Sequence, residues 1–256
     1  MPLERCLAQI LGVTEDIRNG LRRINDTYKE EVVELFEINS SKVILDLCGG
    51  TGAWSKPYKD NGYNVRVVDS QEWIEDDYGT GDVRLFKKPK EKIYGILSAP
   101  PCTHFSSSGA RWWKDKGKEP LLEGLSVVDA CLRIILITKP VFWAMENPLG
   151  RMSRYLGKPK HTFQPYQYGD NYSKRTCLWG DFNMPPPTKI VKPDMVEMIS
   201  TEEFESNNLS LFGDEMAKKR MSKNYYEDFN KSKNERAKSR SITSSGFAKA
   251  FYNSNK

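Results

Sequence analysis

The sequence is poor in the residues from which metal sites and disulfide frameworks are built. It has only two histidines, His104 and His161, far apart in the chain, and its five cysteines form no C-x-x-C pair. Zinc sites need such residues at short, regular spacing, and disulfide-stapled folds need more cysteine in a shorter chain. We therefore expect no metal and no disulfide framework.

Long apolar runs are also missing. A membrane-spanning helix needs ~20 consecutive apolar residues, and no run in this chain approaches that length. Glu4 and Arg5 stand where a secretory signal would begin its apolar stretch. These two absences predict a soluble, cytoplasmic protein without a membrane partner.

Aromatic residues, by contrast, are plentiful. The 256 residues include 11 Phe, 12 Tyr and 6 Trp, with 38% hydrophobic and 29% charged residues. A chain of this composition can bury a sizeable core, so disorder of the whole chain is excluded. The length suits one large domain, or one domain with an appendage.

The positive charge is concentrated at one end of the chain. Residues 215–256 contain 11 Lys or Arg against 4 Asp or Glu, a net charge of +7, whereas residues 1–214 carry −2. A basic segment attached to a nearly neutral body is typical of a polyanion-binding element, because neutralised phosphates release counterions. A solvated, lysine-rich surface is the alternative that charge alone leaves open.

Short apolar runs alternate with a helical pattern through the middle of the chain. An amphipathic pattern over residues 119–139 ends before Pro140, and it predicts a helix. The runs suit strands buried on both faces of a parallel sheet, and they occupy residues 42–47, 65–69, 93–98, 141–146 and 175–180. This order predicts an α/β fold with a Rossmann-like, doubly wound sheet.

The same patterns divide the chain into four parts. We expect an N-terminal helical extension over residues 1–40 and a core over residues 41–187. Residues 188–240 are polar and lysine-rich, and residues 241–256 end in a helix that returns to the core.

The first candidate site is the glycine-rich turn that follows the first predicted strand, between Asp46 and Gly52. Gly50 and Gly52 allow a ligand to approach the backbone, and Asp69, at the end of the next strand, could accept both hydroxyls of a ribose. Asp82 could accept an adenine amino group. No G-K-[ST] follows the turn, so S-adenosylmethionine, which has no phosphate, fits better than a nucleotide. A plain tight turn is the alternative.

The second candidate site is a cysteine that follows two prolines at the end of the third predicted strand. Ligands and reactive groups collect at this edge of an open sheet. Pro100 and Pro101 stiffen the loop and thereby fix the direction of the Cys102 thiol. A lone cysteine is usually a small buried hydrophobe, but such a loop favours a nucleophile.

The remaining candidates are charged residues near the same edge. Glu146 ends the fourth predicted strand, where a carboxylate must be paired, solvated or functional. Lys174 and Arg175 enter the fifth strand. A helix cap or an arginine partner is the structural alternative for Glu146.

These segments together resemble a known family, the cytosine-C5 DNA methyltransferases. Residues 46–55 (DLCGGTGAWS), residues 99–106 (APPCTHFS) and the Glu146-Asn147 pair are similar to motifs I, IV and VI of that family, in the same order. Tyr168-Gly169 followed by Lys174-Arg175 resembles the arginine-bearing motif VIII. The resemblance covers roughly residues 40–182, and residues 240–251 resemble the closing cofactor-site segment.

The resemblance implies a class I S-adenosylmethionine-dependent fold and a role for each matching residue. Cys102 would be the nucleophile that adds to C6 of cytosine, and Glu146 would bind and protonate N3. Arg175, or else Lys174, would stabilise the substrate carbonyl. The family's partner is DNA, with the target base flipped out of the duplex.

The resemblance also implies contacts with the cofactor. Asp46, the glycines, Asp69 and Asp82 would bind it, with Cys48 and Pro100 beside it, and Glu72 is a second candidate for the ribose acid. Cys48 stands where the family usually has an aromatic residue. The segment between residue 182 and the closing segment is shorter than the family's recognition region, which implies short or relaxed specificity, or a partner chain that supplies it. A compact member of this kind would be bacterial or phage-encoded, and it would act in the bacterial cytoplasm.

Three other functions compete with this interpretation. Amino-methyltransferases of DNA place an Asn, Asp or Ser before Pro-Pro, whereas Ala99 cannot accept a hydrogen bond through its side chain. An RNA cytosine-C5 methyltransferase would use the same thiol chemistry. A non-catalytic nucleic-acid-binding protein would keep the fold and the basic segment, although Cys102 and Glu146 argue against loss of activity.

Overall fold

The computed structural model describes residues 31, 33–70, 81–107, 110, 113–190, 195–196, 221–222 and 242–256. Most of the predicted N-terminal extension, Glu72, and most of residues 188–240 therefore lie outside the described residues. Within the described part, no helix is long and apolar enough to cross a membrane.

The helices and strands follow the order predicted from the sequence. Residues 33–40 form α1. The remaining elements are β1 (Val43–Leu47), α2 (Lys56–Asp60), β2 (Asn64–Val68), β3 (Ile93–Ser98), α3 (Glu119–Thr138), β4 (Phe142–Pro148), α4 (Ser153–Leu156), β5 (His161–Phe163), β6 (Thr176–Asp181), β7 (Met195–Val196), β8 (Met221–Ser222) and α5 (Ser245–Ser254).

Six strands form one sheet in the order β2-β1-β3-β4-β6-β5. Strands β2, β1, β3 and β4 are parallel, whereas β6 runs antiparallel to both β4 and β5. From β1 the chain moves outward to β2 and then returns to β3 on the other side. The gap between β1 and β3 is therefore the topological switch point, where ligands bind in open α/β sheets. The prediction of a Rossmann-like, doubly wound α/β fold is confirmed.

Helices cover both faces of this sheet. On one face, α3 packs its buried side chains, among them Val128, Cys131 and Ile134, against alternate residues of the parallel strands. Its end is set by Lys139, which adopts a left-handed conformation with φ of 49°, and by Pro140, which cannot continue the helix.

The other face is aromatic and carries the C-terminal helix. Phe247 of α5 stacks on Phe163 at 3.8 Å between ring centroids, and Phe251 meets Trp54 edge-on at 5.4 Å. Gly246, at the start of α5, donates its backbone N–H to the carboxylate of Asp170 at 3.1 Å. Negative charge at a helix N-terminus is favourable, so Asp170 fixes the start of α5 next to the core. The helix thereby brings residues 245–254 against the segment that follows the glycine-rich turn.

Candidate active site

The glycine-rich turn lies at the carboxyl end of β1, beside the switch point. Three of its residues have positive φ, Cys48 at 57°, Gly50 at 54° and Gly52 at 68°, so the chain reverses sharply there before it enters α2. The backbone N–H of Gly50 donates to Asp69 Oδ2 at 2.9 Å. Among the described residues, a Cβ on Gly50 would meet only this oxygen, at 4.0 Å. The outer side of the turn is therefore open to a ligand.

Asp46 lies behind this turn and is completely buried. Its Oδ2 accepts a hydrogen bond from Ser55 Oγ at 2.6 Å, and its Oδ1 has no partner among the described residues. A Cβ on Gly49 would overlap the same carboxylate, so only glycine fits at that position. Asp46 thus shapes the turn from beneath, and direct contact with a cofactor stays a prediction. Burial raises the pKa of Asp46 to about 6.

This raised pKa predicts a pH-dependent stability. The native state favours the protonated carboxyl, so it becomes less stable relative to the unfolded chain as the pH rises from about 4 to about 6, and the penalty is complete above that range. Asp46→Asn keeps an acceptor for Ser55 and removes this penalty. We expect the free energy of unfolding of the variant, relative to wild type, to rise by about 2 kcal/mol between pH 4 and pH 7.

Urea unfolding at both pH values measures this difference. Asp115→Asn, at an exposed position, is the matched control and should follow wild type. If the free energies of unfolding of Asp46→Asn and wild type changed by the same amount between pH 4 and pH 7, the prediction that burial raises the pKa of Asp46 would be wrong.

The two other predicted acids differ in their surroundings. Asp69 follows β2 directly, is 8% exposed and holds the turn through Gly50, so its position suits the predicted ribose site. Asp82 binds the guanidinium of Arg84 with both oxygens, at 2.6 Å and 3.0 Å, and the Arg84 side chain lowers the pKa of Asp82. An adenine amino group would have to share this carboxylate with Arg84. Both roles stay predictions.

The loop with the predicted nucleophile lies next to the glycine-rich turn. Ala99, at its start, donates its N–H to the carbonyl of Leu47, the last residue of β1, at 2.9 Å. Pro101 then introduces a short 3₁₀ turn over Cys102–His104. The two parts of the predicted site therefore meet at the carboxyl edge of neighbouring strands.

Residues that follow or end β4 hold this loop in place. Asn147 Nδ2 donates to the carbonyl of Pro100 at 2.9 Å. Arg151 donates through Nε to the carbonyl of His104 at 2.6 Å and through its backbone N–H to Phe105 at 2.8 Å. The Arg151 guanidinium also lies over the Trp113 ring, 4.4 Å from its centroid. Cys102 is thus fixed from both sides.

A cation and a carboxylate face this cysteine. Glu146 is 7% exposed, and its Oε1 lies 4.0 Å from Lys174 Nζ. Burial raises the pKa of the partly buried Cys102 thiol, the Lys174 charge lowers it, and the Glu146 charge raises it. The structure therefore brings the predicted nucleophile and the predicted acid together with Lys174.

Arg175, which the resemblance favoured as the cation of this site, lies elsewhere. Glu146 is paired with Leu178 across the β4–β6 ladder, so the two side chains lie on the same face of the sheet. Lys174 precedes Leu178 by an even number of residues, so its side chain lies on that face as well. Arg175 belongs to the alternate set with Cys177 and Trp179, with which it lines a separate pocket. Lys174 is therefore the basic residue beside Glu146, and which of the two cations acts on the substrate stays a prediction.

Three residues of the site were not assigned a role of their own from the sequence. Asn147 and Arg151 hold the loop through backbone carbonyls, which leave no residue-type pattern, although Asn147 directly follows Glu146. Tyr172 lies close to Glu146 and Asp170, and burial raises its pKa to about 12, so its hydroxyl stays neutral. In the described part of the chain, no group of three or more His, Cys, Asp or Glu side chains could hold a metal ion.

The fold and the site define an α/β protein with an open glycine-rich turn and a thiol, carboxylate and cation at one sheet edge. No protein-family model matches the chain. It is 30% identical over 125 residues to the type II methyltransferase M.DdeI of Desulfomicrobium norvegicum, a match that covers 43% of this chain and 28% of the relative's length. Among solved structures, it resembles a protein described as a candidate DNA modification methyltransferase encoded within an E. coli prophage, with a TM-score of 0.42, 16% identity, and coverage of 60% of this chain and 52% of the other.

Proposed function

We propose that the protein transfers a methyl group from S-adenosylmethionine to C5 of cytosine in DNA, through a covalent adduct with Cys102. The observation that carries the proposal is the cluster of Cys102, Glu146 and Lys174, at the sheet edge where β3 and β4 end and the antiparallel β6 begins. The similarity to a type II methyltransferase supports the reaction class, and the motif resemblance supports C5 as the acceptor atom.

Each side chain of the cluster has a task in this reaction. C5 of cytosine is a poor nucleophile until a thiolate adds at C6 and converts the ring to an enamine. The Lys174 charge favours the Cys102 thiolate against the cost of its burial. Glu146 binds N3 and gives it a proton as negative charge develops in the ring. Lys174, whose Nζ lies 4.0 Å from Glu146 Oε1, would also stabilise the ring carbonyl.

The turn at β1 suits S-adenosylmethionine, which supplies an electrophilic methyl group when bound. Positive φ at Gly50 and Gly52 and the open space outside Gly50 leave room for a ligand against the backbone. Asp69 would accept the ribose hydroxyls, and Asp82 would accept the adenine amino group. Cys48 and Pro100 would lie beside the cofactor, and no lysine of a phosphate-binding loop is present in the turn.

DNA is the substrate that we propose, with the cytosine flipped out to reach Cys102. Residues 188–240 are few for a region that reads a long site, so we propose short or relaxed specificity, or a partner chain that supplies it. The lysines of the basic segment at 215–256 would contact phosphates without regard to sequence. The protein would act in the bacterial cytoplasm, whether its gene is bacterial or carried by a phage.

The test is the chemical analysis of DNA from bacteria that lack cytosine-C5 methylation of their own and express the full chain. Mass spectrometry of the digested DNA should detect 5-methyldeoxycytidine, and DNA from cells with the Cys102→Ala variant should contain none. Methyl groups found instead on an exocyclic amino group would contradict the C5 assignment. Methylcytosine confined to RNA would contradict DNA as the substrate.

A further inference from the structure

A pocket of about 350 Å³ lies on the face of β6 opposite Lys174. We name it the β6 pocket and define it by Lys158, Lys160, His161, Arg175 and Trp179, which line it. Arg175 directly precedes β6 and Trp179 lies within it, and both line the pocket because residues an even number apart along a strand share a face. Nothing in the proposed methyl transfer requires this pocket.

The walls of the β6 pocket are held by specific hydrogen bonds. Gly157, with φ of 76°, turns the chain after α4, and its carbonyl accepts a hydrogen bond from Trp179 Nε1 at 2.9 Å. Lys160 Nζ donates to the carbonyl of Phe182 at 2.7 Å. The segment 157–160 is therefore anchored at one end to β6 and at the other to Phe182, the residue that follows β6.

The charge of the β6 pocket is positive. Lys158, Lys160 and Arg175 contribute cations, and none of the described residues that line the pocket is acidic. The carboxylate of Asp181 lies 3.7 Å from Lys160 Nζ, but its side chain is 84% exposed, so solvent screens it. An anion in the pocket would meet a net attraction.

We infer that the β6 pocket binds the phosphate group of a nucleotide. Phosphate oxygens accept several charge-assisted hydrogen bonds at once, and arginine suits them especially well because its guanidinium can donate two parallel bonds. The volume is at the lower end of the range for ligand pockets and suits one nucleotide unit. The phosphate has two sources, a nucleic-acid strand or a free nucleotide.

Binding measurements without a methyl donor test this inference apart from the proposed reaction. Calorimetry would use the full chain with 5′-dCMP and with deoxycytidine, which lacks the phosphate, and fluorescence anisotropy would use a labelled 12-nucleotide DNA strand. The double variant Lys158→Gln/Arg175→Gln removes two pocket charges. The control Lys59→Gln/Lys87→Gln removes two charges at exposed positions outside the pocket.

We expect the pocket variant to bind at least one phosphate-bearing probe about tenfold more weakly than the control variant does, as the loss of a charged hydrogen bond implies. If the pocket variant binds 5′-dCMP more weakly than the control variant does, and both variants bind deoxycytidine weakly, the result supports a free nucleotide as the source of the phosphate. If the pocket variant is weaker only toward the DNA strand, the result supports a phosphate of the strand. Equal affinities of the two variants for both probes would overturn the inference, even if the enzyme methylates DNA.

Discussion

Replacement of Cys102 by alanine is expected to abolish methyl transfer to DNA, with less than a tenth of the wild-type rate remaining. The thiol forms the bond that activates the cytosine ring in the proposed reaction, and it is the thiol on which the charges of both Lys174 and Glu146 act. The cofactor turn at β1 is built from other residues, so binding of S-adenosylmethionine should survive. Incorporation of labelled methyl groups and equilibrium dialysis of the cofactor measure the two effects.

The matched control is Cys131→Ala, which removes a buried thiol from α3 rather than from the nucleophile loop. It should retain methyl transfer per folded molecule. Retention of a tenth or more of the wild-type rate by Cys102→Ala would exclude the covalent route, because a tenfold loss is too small for the removal of an essential bond.

Trapping gives a stronger form of the same test. In DNA with 5-fluorocytosine at the target position, C5 has no removable proton, so the final release of the Cys102 sulfur cannot occur. A protein–DNA adduct that resists denaturing gel electrophoresis should accumulate with wild type and be absent with Cys102→Ala. Peptide mapping of the adduct should identify Cys102 as the modified residue.

The sheet could be predicted because the physical signal is local. Three of the four parallel strands, β1, β3 and β4, are buried on both faces, so each appears in the sequence as a continuous apolar run, and turn residues end each run. Since parallel strands end at one edge, the loop residues that follow them, such as Gly50 and Cys102, could be assigned to one site without knowledge of the packing.

The choice between Lys174 and Arg175 could not be made in this way. The two residues are adjacent and both are basic, and their roles separate only when the register of β6 against β4 is known. The pairing of Glu146 with Leu178 places Lys174 on the carboxylate's face and Arg175 on the opposite one. A shift of the register by one residue would exchange them.

The loop supports were also hidden in the sequence. Asn147 and Arg151 act on backbone carbonyls, and a carbonyl has the same chemistry whatever the residue, so the sequence does not reveal the contact even for Asn147, which belongs to the Glu146-Asn147 motif. Asp46 has the residue type and the position that suit a contact with a ligand. In the structure its carboxylate is buried beneath the turn, next to Gly49, where any side chain would overlap it. The sequence alone does not reveal this burial.

Glu146→Gln separates a catalytic role from a structural one most clearly. The substitution keeps the shape and hydrogen-bonding capacity of the side chain but removes the proton that Glu146 would give to N3. We expect the single-turnover rate to fall by ~10²–10⁴, the usual range for general acid–base catalysis. Stability should change little, because the Lys174 Nζ–Glu146 Oε1 distance of 4.0 Å is longer than a hydrogen bond.

The structural alternative makes the reverse prediction. If Glu146 and Lys174 formed a tight buried pair, removal of one charge would cost ~3–5 kcal/mol, and the melting temperature would drop by about 10 °C. The melting temperature and the single-turnover rate should be measured on one preparation, with Glu37→Gln, at an exposed position of α1, as the control. A large loss of stability with a near-normal rate per folded molecule would refute the catalytic role, since a side chain that only holds the fold together leaves the chemistry of each folded molecule unchanged.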